Sequence, residues 1–142
     1  ARVWAGARWP PLPETLFAVS PFASALLKEQ RLGKPGPAHR RLGAVRAQNL
    51  RLTIITAGEI GVIFDSWPEA WAWLSRWTMY RLHSGVARAA TELDRALIAE
   101  GARLGENDTW IAGFALYYRE PLLTADDGFA RAVPHGLRLA DR

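Results

Sequence analysis

The sequence predicts an α/β domain with a short central parallel sheet and helices on both faces. Three observations carry this. Short apolar runs at Leu16–Ser20, Leu52–Ile55 and Leu122–Thr124 are too brief for helices and are bounded by capping or turn residues. Between them lie longer segments whose apolar residues recur at helical spacing. Strands that alternate with amphipathic helices pair in parallel and are buried on both sides.

In chain order, Leu16-Phe17-Ala18-Val19-Ser20 reads as a buried strand, and Ser20-Pro21 as the start of a helix. Phe22, Ala25 and Leu26 give that helix an apolar face, and it ends near Gly33. The breaker KPGP leads to a second helix over residues 38–48. Leu52–Ile55 is a β-branched strand. Thr56 caps the next helix, and Glu59 completes a capping box with it. Ser66 caps a helix carrying Trp67, Trp71, Trp73, Leu74, Trp77 and Met79, with Trp67, Trp71 and Leu74 on one face. Such a stripe is better read as core or subunit interface than as a base-stacking surface. Tyr80–Leu82 reads as a short edge strand, and residues 85–101 as a long helix. Asn107 caps the following helix, with Asp108 in its first turn and Ile111, Phe114, Ala115 and Tyr118 inward. Glu120-Pro121 ends it. Leu122–Thr124 is a strand with Asp126 just past its end, and Leu137–Leu139 a final strand.

The 142 residues, 49% hydrophobic, make one domain with a sizeable core. Residues 1–15 read as an N-terminal arm, because Pro10, Pro11 and Pro13 forbid regular structure, and residues 16–142 as the domain. Trp4 and Trp9 in the arm pack on the domain or on a second subunit. The absence of Cys excludes disulfide frameworks and thiolate metal sites and fits a reducing, cytoplasmic setting. No run of 18 apolar residues and no apolar signal region occurs, so no membrane partner is expected. The net charge of +4 is uneven: between Lys28 and Arg51 stand seven Lys or Arg against Glu29 alone. Such a patch suits phosphates, or a solvated face, or an acidic partner.

The acidic residues carry the chemistry. Glu59, Asp108 and Asp126 each follow a strand or loop and start a helix, so all three can meet at the carboxyl edge of the sheet, where open α/β folds bind ligands. Taken singly, each is best read as a helix cap. His39, His83 and His135 are scattered without zinc spacing. There is no Gly-rich phosphate loop and no nucleophile elbow.

The stretches LGENDTWIAGFAL and PLLTADDGF, with ITAGEIG before them, resemble the motifs of PIN-domain nucleases, and within them toxins of VapC type. That resemblance implies a PIN-like fold and a Mg2+ (or Mn2+)-dependent endoribonuclease, the toxin of a toxin–antitoxin pair. It implies Glu59, Asp108 and Asp126 as catalytic metal ligands, with Asp126 preferred to Asp127 by the Thr-x-Asp spacing. RNA as substrate, an antitoxin protein and a homodimer are the implied partners, with Arg40, Arg41 and Arg46 as candidate RNA contacts. One motif departs. The first strand, LFAVSPFASALL, carries Ala18 where the family has a metal-binding Asp, although Leu16, Ser20 and the helix after it align; Ser20 and Asp127, which could substitute for Asp126 or add to it, are the accessory candidates. The otherwise intact motif favours a single Asp→Ala change over general erosion. The chain is therefore expected to be an impaired nuclease with weakened metal binding. The alternative is a non-catalytic PIN-fold module that binds RNA or protein.

Overall fold

The computed structural model describes residues 16–18, 20–40, 50–124 and 126–140. The arm expected over residues 1–15 lies outside the described residues. So does most of the second helix, with Arg41 and Arg46; residues 37–40 are helical.

Four strands form one parallel sheet in the order β3-β2-β1-β4: β1 Leu16–Ala18, β2 Leu50–Thr53, β3 Thr78–Tyr80 and β4 Leu122–Leu123. Neighbouring strand residues point to opposite faces. Phe17 and Ala18, and likewise Leu122 and Leu123, are all 0% exposed, so both faces of the sheet centre are covered. The fold is the α/β sandwich that the strand–helix alternation predicts.

Five α-helices among the described residues do the covering: α1 Ser20–Leu32, α2 Ile54–Gly61, α3 Trp67–Leu74, α4 Ser84–Glu100 and α5 Glu106–Tyr118. A 3-10 helix follows over Asp127–His135. Helix α1 packs on α2 and α2 on α3, while α4 and α5 pack on each other and on the 3-10 helix. Phe17 sits at the aromatic centre, edge-on to Tyr80 at 5.1 Å and to Phe114 at 6.1 Å between ring centroids. The α4–α5 contact is close: a Cβ on Gly113 would stand 2.7 Å from the Cβ of Ala90.

Several boundaries differ from the sequence reading. Strand β2 ends at Thr53, not Ile55. The buried Thr53 hydroxyl accepts the Thr56 N–H at 3.1 Å and so caps α2 itself. The apolar pair Ile54-Ile55 is thus the first turn of a helix, Thr56 is not the cap, and Glu59 lies more than a turn inside α2 rather than in a capping box. Helix α5 begins at Glu106 with Gly105 as its N-cap, so Asn107 is not the cap. Its side chain is spent elsewhere, on Glu59. Ser66 does cap α3, accepting the Glu69 N–H at 3.4 Å. That helix stops at Leu74, which leaves Trp77 in the turn and Met79 in β3. Along its shared face Leu74 is fully buried, whereas Trp67 and Trp71 are 53% and 45% exposed and stack on each other at 5.8 Å. Trp73 is the buried indole, donating to Gln30 of α1 at 2.8 Å. The edge strand falls at Thr78–Tyr80 instead of Tyr80–Leu82. The expected last strand contracts to one parallel bridge, Leu122 to Leu139. Leu122, hydrogen-bonded to the Arg138 carbonyl and the Ala140 N–H, is the one β4 residue it reaches.

Candidate active site at the carboxyl edge

The chain lays β2 and then β3 outward from one side of β1 and returns to place β4 on the other. The order therefore reverses between β1 and β4. In open α/β sheets that reversal opens a crevice at the carboxyl ends of the two strands, which is where ligands bind. Ala18 ends β1 opposite Leu123 of β4, and it is fully buried. Thr124 continues β4, and Asp126 follows at the exposed edge.

Local chemistry fixes each acid. Asp126 is the N-cap of the 3-10 helix: its Oδ1 accepts the Gly128 N–H at 2.9 Å, and its own N–H donates to the buried Thr124 hydroxyl at 2.9 Å. The Thr-x-Asp spacing is thus a hydrogen-bonded turn that orients the carboxylate. Asp108 lies in the first turn of α5, half-buried, where the helix dipole favours a negative charge. Glu59 projects from α2, and Asn107 of α5 donates to its Oε2 at 3.1 Å. Asn107 thereby ties the two acid-bearing helices together. The capping preference of Asn hid this role in the sequence.

The three acids share one electrostatic environment. Burial pushes the Asp108 carboxyl above its ordinary range, and the negative charges of Asp126 and then Glu59 push it further. Asp127, the first residue of the 3-10 helix, is exposed. Ser20 opens α1 beyond Ala18, and Arg40 is exposed at the far end of the loop after α1. Among the described residues, no three His, Cys, Asp or Glu groups stand close enough to clasp an ion as they are. Glu59 accepts a hydrogen bond from Asn107, and Asp126 accepts one from the Gly128 N–H. All three offer only hard oxygen donors, the kind Mg2+ and Mn2+ take.

This PIN-like architecture is that of toxin–antitoxin structures of the VapBC type. VapBC2 from Rickettsia felis, crystallised with a DNA fragment from its promoter, superposes with a TM-score of 0.71 at 17% identity, over 88% of this chain and 96% of that one. DNA-bound VapBC from Salmonella typhimurium gives 0.72 at 16%, over 89% and 96%. FitAcB from Neisseria gonorrhoeae gives 0.67 at 15%, over 88% and 96%. No family model and no curated protein sequence matches the chain. No helix among the described residues is long and apolar enough to cross a membrane.

Proposed function

We propose that this chain is the toxin of a toxin–antitoxin pair, built as a metal-dependent endoribonuclease of PIN type and impaired by Ala18. The observation that carries the reading is the joint action of Asp126 and Glu59 on Asp108 at the β1–β4 reversal. Like charges gathered at a sheet edge are costly unless a cation offsets them. Glu59, Asp108 and Asp126 would hold Mg2+ or Mn2+. Such an ion, when bound, polarises the phosphate and lowers the pKa of a water. The charges of Asp126 and Glu59 oppose ionisation of Asp108, and a bound cation would relieve that opposition. Asn107 and Thr124 orient Glu59 and Asp126. The site is an open edge, suited to a polymer such as RNA. Arg40, with Arg41 and Arg46, would contact phosphates. An antitoxin protein, as in the toxin–antitoxin complexes of the same fold, and a second copy of the chain are the proposed partners.

Ala18 supports a second reading, a PIN-fold module that binds RNA or protein without cutting. Ala18→Asp separates the two. That substitution adds an oxygen ligand and a charge beside the other acids, so metal affinity should rise. With Mg2+ or Mn2+ the variant should cleave an RNA pool. Asp108→Asn in that background should abolish cleavage, and Asp127→Asn should leave most of it. A restored chain that cuts nothing yet binds RNA tightly would establish the binding module instead.

A further inference from the structure

We propose that Glu29 is a positioning residue whose carboxylate clasps the Gly36–His39 elbow and thereby gathers Lys28, Arg31, Lys34 and Arg40 into one phosphate-binding cluster for an RNA strand. The identity of the polyanion rests on the ribonuclease reading; the clasp itself rests on geometry.

The carboxylate is used up within the fold. Its Oε1 accepts the N–H groups of Gly36 at 2.7 Å and His39 at 3.1 Å, and contacts the His39 Nδ1 at 2.6 Å; its Oε2 accepts the Ala38 N–H at 2.9 Å. A side chain from the last turn of α1 therefore caps the helical turn over residues 37–40, where helix N–H groups lack partners of their own. The chain turns back to it through Gly33, at φ 67°, and the Lys34 N–H donates to the Glu29 carbonyl at 3.2 Å. Gly36 is there for contact: a Cβ would stand 2.8 Å from the Glu29 Oε2.

Four cations flank this hub along the chain, with Lys28 and Arg31 one turn apart on α1 and Lys34 and Arg40 on the elbow. Lys28 precedes Glu29, Arg31 lies two residues on, Lys34 is bonded to its carbonyl, and Arg40 follows the His39 that it holds. All four are exposed, and none pairs with a carboxylate among the described residues. Arg31 lies over the Phe64 ring at 4.7 Å, which steadies its stem without neutralising it. Without the clasp, the elbow that carries Lys34 and Arg40 would lose its side-chain tie to the helix that carries Lys28 and Arg31.

The clasp and simple charge counting predict opposite signs. Glu29→Gln removes a negative charge, so plain electrostatics makes RNA bind tighter. The clasp makes it bind more weakly, because Gln turns an amide toward donors that need an acceptor. Binding of a fluorescent oligouridine is measured in EDTA across a salt series, with circular dichroism checking the fold. Each lost phosphate contact on a single strand flattens the log–log salt slope by about 0.7. Arg40→Gln should flatten it by that amount, and Glu29→Gln by more, with several-fold weaker affinity. Gly36→Ala displaces the carboxylate at constant charge and should act like Glu29→Gln; it serves if the Glu29 variant fails to fold. Tighter binding by Glu29→Gln, or an unchanged slope in Gly36→Ala, would overturn the inference. So would an unmodified chain that does not bind the oligouridine, whatever Ala18→Asp cuts. Clasp-dependent binding with no cleavage by Ala18→Asp would leave the cluster standing and remove the ribonuclease reading.

Discussion

Asp108 and Glu29 are displaced in opposite directions, and each displacement fixes a pH dependence. Asp108 is raised, by burial first and then by Asp126 and Glu59. An acid raised on folding favours the fold while protonated. That advantage is present below the ordinary Asp range and is lost as pH rises through the folded value. Asp108→Asn should therefore melt a few degrees higher than the unmodified chain at neutral pH, with the gap closing in acid. Glu29 behaves the other way. Burial raises it, but the His39 side chain and the N–H groups of Ala38, His39 and Gly36 outweigh burial and bring it to about 2. Its contribution is complete above its ordinary value of 4.5 and disappears as pH falls toward about 2. Glu29→Gln should thus melt lower at neutral pH and converge on the unmodified chain in acid; parallel melting curves at every pH would refute it. At this scale the sequence was legible where a motif has a local cause. The Thr124-x-Asp126 spacing, on which the family resemblance preferred Asp126, has such a cause in the bond from the Asp126 N–H to the Thr124 hydroxyl. The bond from Asn107 to Glu59 spans two helices, and Glu29's grip reaches across the KPGP elbow; neither leaves a trace in local spacing.

Two helical glycines separate propensity from packing. A Cβ on Gly58 of α2 meets nothing within 4 Å, so Gly58→Ala should gain about 1 kcal/mol from helix propensity. A Cβ on Gly113 of α5 would meet the Ala90 Cβ at 2.7 Å and its backbone at 3.1 Å. Backbone cannot swing aside, so Gly113→Ala should lose about 1–3 kcal/mol from overpacking, more than propensity returns. Chemical denaturation of both variants measures the two signs. The elements themselves were legible in type and blurred at their ends. Ile54-Ile55 looks like strand because β-branched residues favour strands, yet a buried Thr53 hydroxyl starts the helix three residues earlier than a Thr56 cap would. Gly105 caps α5 with no side chain at all, so no capping residue marked that start.

For the molecule as a whole, alternation predicts a parallel sheet and does not fix its order. The pairing of β1 with β4 rather than with β3 is decided by burial across the full chain, and that pairing puts Ala18 beside the strand leading to Asp126. Surface accounting also belongs to this scale. Ile54, Val62, Ile63, Trp67 and Trp71 are each at least 39% exposed, Val62 by 83%. Apolar residues so concentrated mark an association surface. Sedimentation should find the unmodified chain assembling at micromolar concentration, and Trp71→Glu shifting it toward monomer without loss of fold. A unmodified chain that stays monomeric with no partner would count against that use of the face.

The reversal between β1 and β4 also sets an order in time. Helices α4 and α5 are neighbours in sequence and form a hairpin whose contacts close over short loops. Strand β1 is three residues long and takes its partners from β2 and, more than a hundred residues later, from β4. Short loops close early, and distant pairings wait for the rest of the chain. The hairpin should therefore be the early nucleus and the β1–β4 seam the last contact made. Pulse-labelled hydrogen exchange should find the amides of α4 and α5 protected before those of Phe17 and Leu122. The crevice between Ala18 and the strand that leads to Asp126 would then come into being only as folding completes.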